Sequence, residues 1–133
     1  MGGQPHVGVQ QEQAGIRVLV VDDQVAYRRA LAAVVAETEG FELVGETTSG
    51  EESLVVAAEM HPDLVLMDVN LPGISGIDAA RTLSSTPDGP VVVLLSTYDE
   101  DEFELEGCGA SAYVAKAAFG PDRLSEVWTA AVR

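Results

Sequence analysis

The single lysine of this 133-residue chain, Lys116, closes the phrase Ser111-Ala112-Tyr113-Val114-Ala115-Lys116. Two apolar runs end abruptly in acid, Ile16-Arg17-Val18-Leu19-Val20-Val21-Asp22-Asp23 and Leu64-Val65-Leu66-Met67-Asp68. Another, Val91-Val92-Val93-Leu94-Leu95-Ser96, ends in a hydroxyl. Three carboxylates, a hydroxyl and an ammonium are the groups that bind a divalent cation beside a phosphoryl group. Carboxylate oxygens are the ligands a hard cation takes, and a lysine meets phosphate oxygens as a compact charge. These groups can act together only if the runs are parallel strands whose carboxyl ends share one edge of a sheet.

The segments between the runs supply the elements such a sheet needs. A helix is expected near 25–37, with Tyr27, Leu31, Val34 and Val35 on one face and Gly40 after its end. A strand from Phe41 to about Glu46 follows. Ser49-Gly50-Glu51-Glu52 reads as a capping box opening a helix to about Met60, and His61-Pro62 stops it. After the strand at 64–67, Ser75-Gly76-Ile77-Asp78 caps a third helix to about Ser84. The fourth strand is 91–95, and Asp99 to Glu102 opens a short, very acidic helix. The fifth strand is about 112–115. Gly120-Pro121 starts the last helix, since proline suits the first helical position, with Leu124, Val127, Trp128 and Ala131 on its inner face. Strands one, three and four are nearly all apolar, as parallel strands covered on both faces are. Five successive βα units with right-handed crossovers give a doubly wound α/β sandwich. Ligands in such sheets bind at the carboxyl ends of the strands, near the switch point in strand order. Asp22, Asp23, Asp68, Ser96 and Lys116 all fall at such ends.

The bulk properties narrow the function classes. The length and an apolar content of 47% fit one domain with a real core. No apolar run approaches the roughly 20 residues that span a bilayer. Residues 1–15 are rich in Gly and Gln and lack the basic start and apolar stretch of a signal peptide. They read as a flexible tail ahead of a domain at 16–133, in a cytoplasmic protein. A single cysteine, Cys108, excludes an internal disulfide and a multi-cysteine metal site. His6 and His61 stand too far apart to suggest zinc. A net charge of −15 with only seven basic residues argues against direct nucleic-acid binding.

From about Ile16 to Val132 the chain resembles the receiver domain of bacterial two-component response regulators. The phrases that carry the resemblance are Val20-Val21-Asp22-Asp23, Met67-Asp68-Val69-Asn70-Leu71-Pro72-Gly73-Ile74-Ser75-Gly76, Leu95-Ser96-Thr97 and Gly109-Ala110-Ser111-Ala112-Tyr113-Val114-Ala115-Lys116. Within the family, Asn70-Leu71-Pro72-Gly73 and Thr97-Tyr98-Asp99 are similar to NarL/FixJ-type receivers. The resemblance implies a flavodoxin-like five-stranded sheet of order 2-1-3-4-5. It implies a phosphoryl group taken from a sensor histidine kinase onto one aspartate and later lost by hydrolysis. The change is then relayed to the face formed by the fourth helix, fifth strand and last helix. Carried over residue by residue, Asp68 is the phosphoacceptor. Mg²⁺ is held by Asp23, Asp68 and the Asn70 carbonyl, with Asp22 acting through water. Lys116 pairs with a phosphate oxygen. Ser96 donates its hydroxyl to the phosphoryl group, with Thr97 as a rival, and Tyr113 is the aromatic that moves with it. Asn70 and Tyr98 flank the path of the hydrolytic water.

Two departures from the family pattern stand out. Ala117 follows Lys116 where relatives often carry a cis proline, so that loop is expected to differ. From Ser96 to Lys116 the chain runs only 20 residues, fewer than in typical relatives. The glycines in Glu104-Leu105-Glu106-Gly107-Cys108-Gly109 weaken helicity there. This shortening argues against the usual homodimer through the output face. The sequence suits either a stand-alone regulator or the receiver part of a transcriptional regulator with an output domain. One alternative is a receiver-like module working by protein contact without phosphorylation. A flavodoxin-like enzyme or dehalogenase-like phosphatase fits less well. Asp22-Asp23 would repel a flavin phosphate, and the Asp-x-Asp phrase of such phosphatases is missing after strand one.

Overall fold

Valine and leucine fill the inner strands on both faces, and that two-sided apolarity sets the architecture. The computed structural model describes residues 15–97 and 107–132. Strands β1 (Ile16–Val21), β2 (Phe41–Thr47), β3 (Leu64–Asp68), β4 (Val91–Ser96) and β5 (Ala112–Ala115) form one parallel sheet. Their order is 2-1-3-4-5, as expected. Helices α1 (Val25–Glu37), α2 (Gly50–Met60), α3 (Gly76–Ser84) and α4 (Pro121–Val132) cover it, and a 3₁₀ turn spans Lys116–Ala118. The acidic helix expected after Asp99, and Tyr98, lie outside the described residues, as does the tail apart from Gly15.

The period of two divides each strand between two cores. Val18, Val20, Leu64, Leu66, Val93 and Leu95 pack with Leu31 and Val35 of α1 and Leu124 and Val127 of α4. Leu19, Val21, Val65, Met67, Val92 and Leu94 pack on the other face with Ala57 of α2 and Ala79, Ala80 and Leu83 of α3. Tyr27, Val34 and Trp128 sit half-buried at the margin of the first core.

The helix starts follow local chemistry. Ser49 Oγ accepts from the Glu52 amide at 3.1 Å, as a capping box requires. The Glu52 carboxylate, however, takes the amide of Thr48 at 2.9 Å rather than that of Ser49. Ser75 caps α3 through the Asp78 amide at 3.1 Å, and Pro121 opens α4. The sequence showed no sign of the irregularity in β2, where Val18 pairs with Leu43 but Leu19 with Gly45. The skipped residue, Val44, shifts the strand so that the Thr47 carbonyl accepts the Asp22 amide at 3.1 Å. Among the described residues no helix is long and apolar enough to cross a membrane.

Candidate functional site

β1 and β3 are neighbours whose following helices leave on opposite faces of the sheet, so the switch point lies between their carboxyl ends. Asp22 and Asp23 follow β1, and Asp68 ends β3. Carboxylate oxygens of all three lie within 4.8 Å of one another. Asp22 is fully buried and Asp68 is 4% exposed, whereas Asp23 faces solvent. Lys116, one residue past β5, reaches back over the edge. Its Nζ stands 3.0 Å from Asp22 Oδ2 and 3.2 Å from Asp68 Oδ2. The lysine expected to meet a phosphate oxygen thus rests between two carboxylates.

Backbone groups hold both buried carboxylates. The Gln24 amide donates to Asp22 Oδ1 at 2.8 Å and the Asn70 amide to Asp68 Oδ1 at 3.0 Å. The Arg28 guanidinium donates to the Asp22 carbonyl at 3.0 Å and pairs with Glu46 at 3.2 Å. Asp22 Oδ2 has no aligned hydrogen-bond donor despite its closeness to the ammonium. The Lys116 ammonium 3.0 Å away offsets part of the charge on that oxygen, but three clustered carboxylates face this one lysine. The excess of carboxylate oxygens, the ligands a hard cation takes, fits a divalent metal.

The loop after Asp68 is pinned at four points. Val69 donates to the Leu95 carbonyl and Gly76 to the Val69 carbonyl, both at 2.9 Å. Glu51, from the first turn of α2, accepts the Ile74 amide at 3.1 Å. Gly73 takes φ +75°, and a side chain there would run into the Glu51 carboxylate. Asn70, on this loop, is exposed, with its amide committed to Asp68.

Ser96 ends β4 fully buried. Its register partner is Ala115, the residue before Lys116, and the residue before it, Leu95, pairs with Asp68. It therefore sits between Asp68 and Lys116 along the edge, while Thr97 is exposed. Tyr113 pairs in register with Leu94 and packs on the α2–α3 face, half-buried. It lies three residues before Lys116, within β5 rather than at its carboxyl end. A 3₁₀ turn spans Lys116–Ala118 directly after β5, and the described residues contain no cis peptide.

Sequence reading missed Tyr27 as part of this site, counting it only on a helix face. Its ring centroid lies 4.3 Å from Lys116 Nζ, and its hydroxyl donates to the Lys116 carbonyl at 3.3 Å. Burial, then the charges of Asp22 and Asp68, push the Tyr27 phenol up to about 12. An aromatic near Asp22-Asp23 in the first turn of the helix was the one available signal.

Asp68 is pushed above its ordinary 3.8, chiefly by burial; the Asn70 amide and Lys116 oppose this, and the Asp22 charge adds to it. A carboxyl raised in the folded state contributes stability below its unfolded value and loses it as pH rises through its folded value. Metal-free wild type is therefore expected to lose stability relative to Asp68→Asn as pH climbs from about 3.9 through that raised value. Thermal melts of both proteins in chelator check this. A difference that stays flat across the acid range would show that Asp68 is not raised.

The match to known proteins covers the same edge. The response regulator receiver domain profile matches residues 18–128. The response regulator GacA of Pseudomonas viridiflava is 44% identical over 105 residues, 77% of this chain and 49% of that protein. The transcriptional regulatory protein PdtaR of Mycobacterium tuberculosis is 42% identical over 75% of this chain and 49% of its own length. The chain thus spans about half the length of the curated relatives it matches. The signal receiver domain of the putative response regulator NarL from Mycobacterium tuberculosis superposes with a TM-score of 0.81 at 25% identity, covering 89% of this chain and 97% of that one. The five-stranded parallel order, the acidic switch point and these matches together make the chain a member of the response regulator receiver domain family of two-component signalling.

Proposed function

We propose that residues 16–133 form a phosphoacceptor receiver unit in which Asp68 takes a phosphoryl group from a histidine kinase. The observation that supports this most is Lys116 seated between Asp22 and Asp68, 3.0 and 3.2 Å away, at the switch point of the sheet. A carboxylate oxygen of Asp68 bonds to phosphorus, and the bond from phosphorus to the donor's imidazole nitrogen breaks. Phosphoryl transfer asks the protein mainly for positioning and charge neutralisation. The backbone amides on Asp22 and Asp68 hold the two carboxylates in place. Lys116 leaves its carboxylate pair to meet an incoming phosphoryl oxygen. Ser96, buried next to Ala115, offers its hydroxyl to the acyl phosphate, and Tyr113 on the adjoining strand follows that movement toward the output face.

The acidic set fits Mg²⁺, with Asp23, Asp68 and the Asn70 carbonyl as ligands and Asp22 through water; bound there, the ion would neutralise charge on the transferring group. The only catalysis expected is on the chain itself. The chain acts in the cytoplasm, with a sensor histidine kinase upstream and an output domain or partner protein downstream. With a charge of −15, this chain itself is not the element that grips nucleic acid.

Incubation with acetyl phosphate and Mg²⁺ should add the mass of one phosphate, and chelator should prevent it. Folded protein that takes up no phosphate and binds no beryllofluoride would instead support a receiver-like module that works by contact alone.

A further inference from the structure

Lysine is a poor positioning device by itself: a flexible four-carbon stem carrying a freely rotating ammonium. Lys116 is nevertheless well confined, its side chain only 8% exposed. Asp22 and Asp68 attract the ammonium, but they are also the groups a cation would occupy, so they cannot fix Lys116 once the site is loaded. Tyr27 can. Its ring lies 4.3 Å under the ammonium, within the range of a cation–π contact, and its hydroxyl donates to the Lys116 carbonyl at 3.3 Å. That carbonyl also accepts the Phe119 amide at 3.3 Å, which closes the 3₁₀ turn. One residue of α1 thus holds both ends of a lysine 89 residues away.

We propose that Tyr27 is a positioning residue for Lys116, keeping the ammonium aimed at the phosphoryl oxygens after a cation has taken the carboxylates. This rests on the phosphoacceptor reading above. The two contacts divide the work. The ring restrains the ammonium laterally without consuming its hydrogen-bonding capacity, leaving its three N–H groups for oxygen acceptors. The hydroxyl anchors the turn from which the side chain springs. The phenol stays protonated through the neutral range, so the donor is always present.

The probe is beryllofluoride with Mg²⁺, a stable stand-in for the phosphoryl group, followed by calorimetric titration of Mg²⁺ alone and of fluoroberyllate at saturating Mg²⁺. Tyr27→Leu should weaken fluoroberyllate roughly tenfold while leaving Mg²⁺ affinity unchanged or higher, because a loosened ammonium competes less for the carboxylates. Tyr27→Phe, which keeps the ring, should fall between Leu and wild type. In a Lys116→Ala background, Tyr27→Leu should cause no further loss, since its effect passes through Lys116. A purely structural Tyr27 would instead lower Mg²⁺ affinity, fluoroberyllate affinity and Tm together, and would do so with or without Lys116. Either that pattern or wild-type fluoroberyllate affinity in Tyr27→Leu overturns the proposal. Wild type that binds Mg²⁺ but not fluoroberyllate overturns the phosphoacceptor reading, and this role with it.

Discussion

Asp68→Asn should take up no phosphate from acetyl phosphate, a fall of at least about a hundredfold against wild type. The substitution keeps the shape of the side chain and its place at the end of β3 but removes the attacking oxygen's charge. Neither neighbour can substitute. Asp22 is fully buried, with Oδ1 on the Gln24 amide and Oδ2 facing Lys116. Asp23 is exposed and follows β1 rather than ending β3, so it lacks the register that sets Asp68 against Leu95, one residue short of Ser96. The variant is expected to fold, because Asn can keep the hydrogen bond from the Asn70 amide and is cheaper to bury than a carboxylate. Intact mass against time, with circular dichroism to confirm folding, decides it. A full adduct on folded Asp68→Asn would move the acceptor to Asp22 or Asp23 and end the assignment.

The second large effect is structural and reaches the site through the backbone. A Cβ at Gly76 would run into the Asp68 carbonyl oxygen and lie 2.9 Å from Val69 Cα. Both are main-chain atoms, and no side chain can rotate away. Gly76 → Ala should therefore destabilise the protein by about 3 kcal/mol, the upper end for overpacking, lowering Tm on the order of 10 °C. Relief requires α3 to move off the end of β3, breaking the bond from the Gly76 amide to the Val69 carbonyl at 2.9 Å. The Asp68–Asn70 segment would move with it, so Mg²⁺ affinity should drop as well. Paired melts and Mg²⁺ titrations test both halves. A melting temperature within a degree or two of wild type would show that the contact relaxes at little cost.

Much of this arrangement was legible before any coordinates. Strand runs ending in Asp22, Asp68 and Ser96, with Lys116 just past β5, are local signals of apolarity and its termination. A parallel sheet converts strand ends into one shared edge. Cap chemistry at Ser49 and Ser75 and proline at Pro121 are equally local. What could not be read depends on distance in space between residues remote in sequence. The approach of Tyr27 to Lys116, of Glu51 to the Ile74 amide, and of Lys116 to Asp22 each follows from how helices lie on the sheet, which periodicity does not encode. The shift at Val44 escaped for a related reason. Residues 41–47 read as an uninterrupted strand, and only pairing with β1 exposes the extra residue.

The edge that carries the chemistry draws on β1, β3, β4 and β5, whose residues span 16 to 115. No stretch of chain can form it locally, and parallel pairing across such separations comes late, after loop-closure entropy has been overcome. A cation that needs Asp22, Asp23 and Asp68 together recognises only the finished sheet. By linkage it stabilises the native state without assisting its assembly, so this protein would gain its metal as a lock on unfolding, not as a guide to folding.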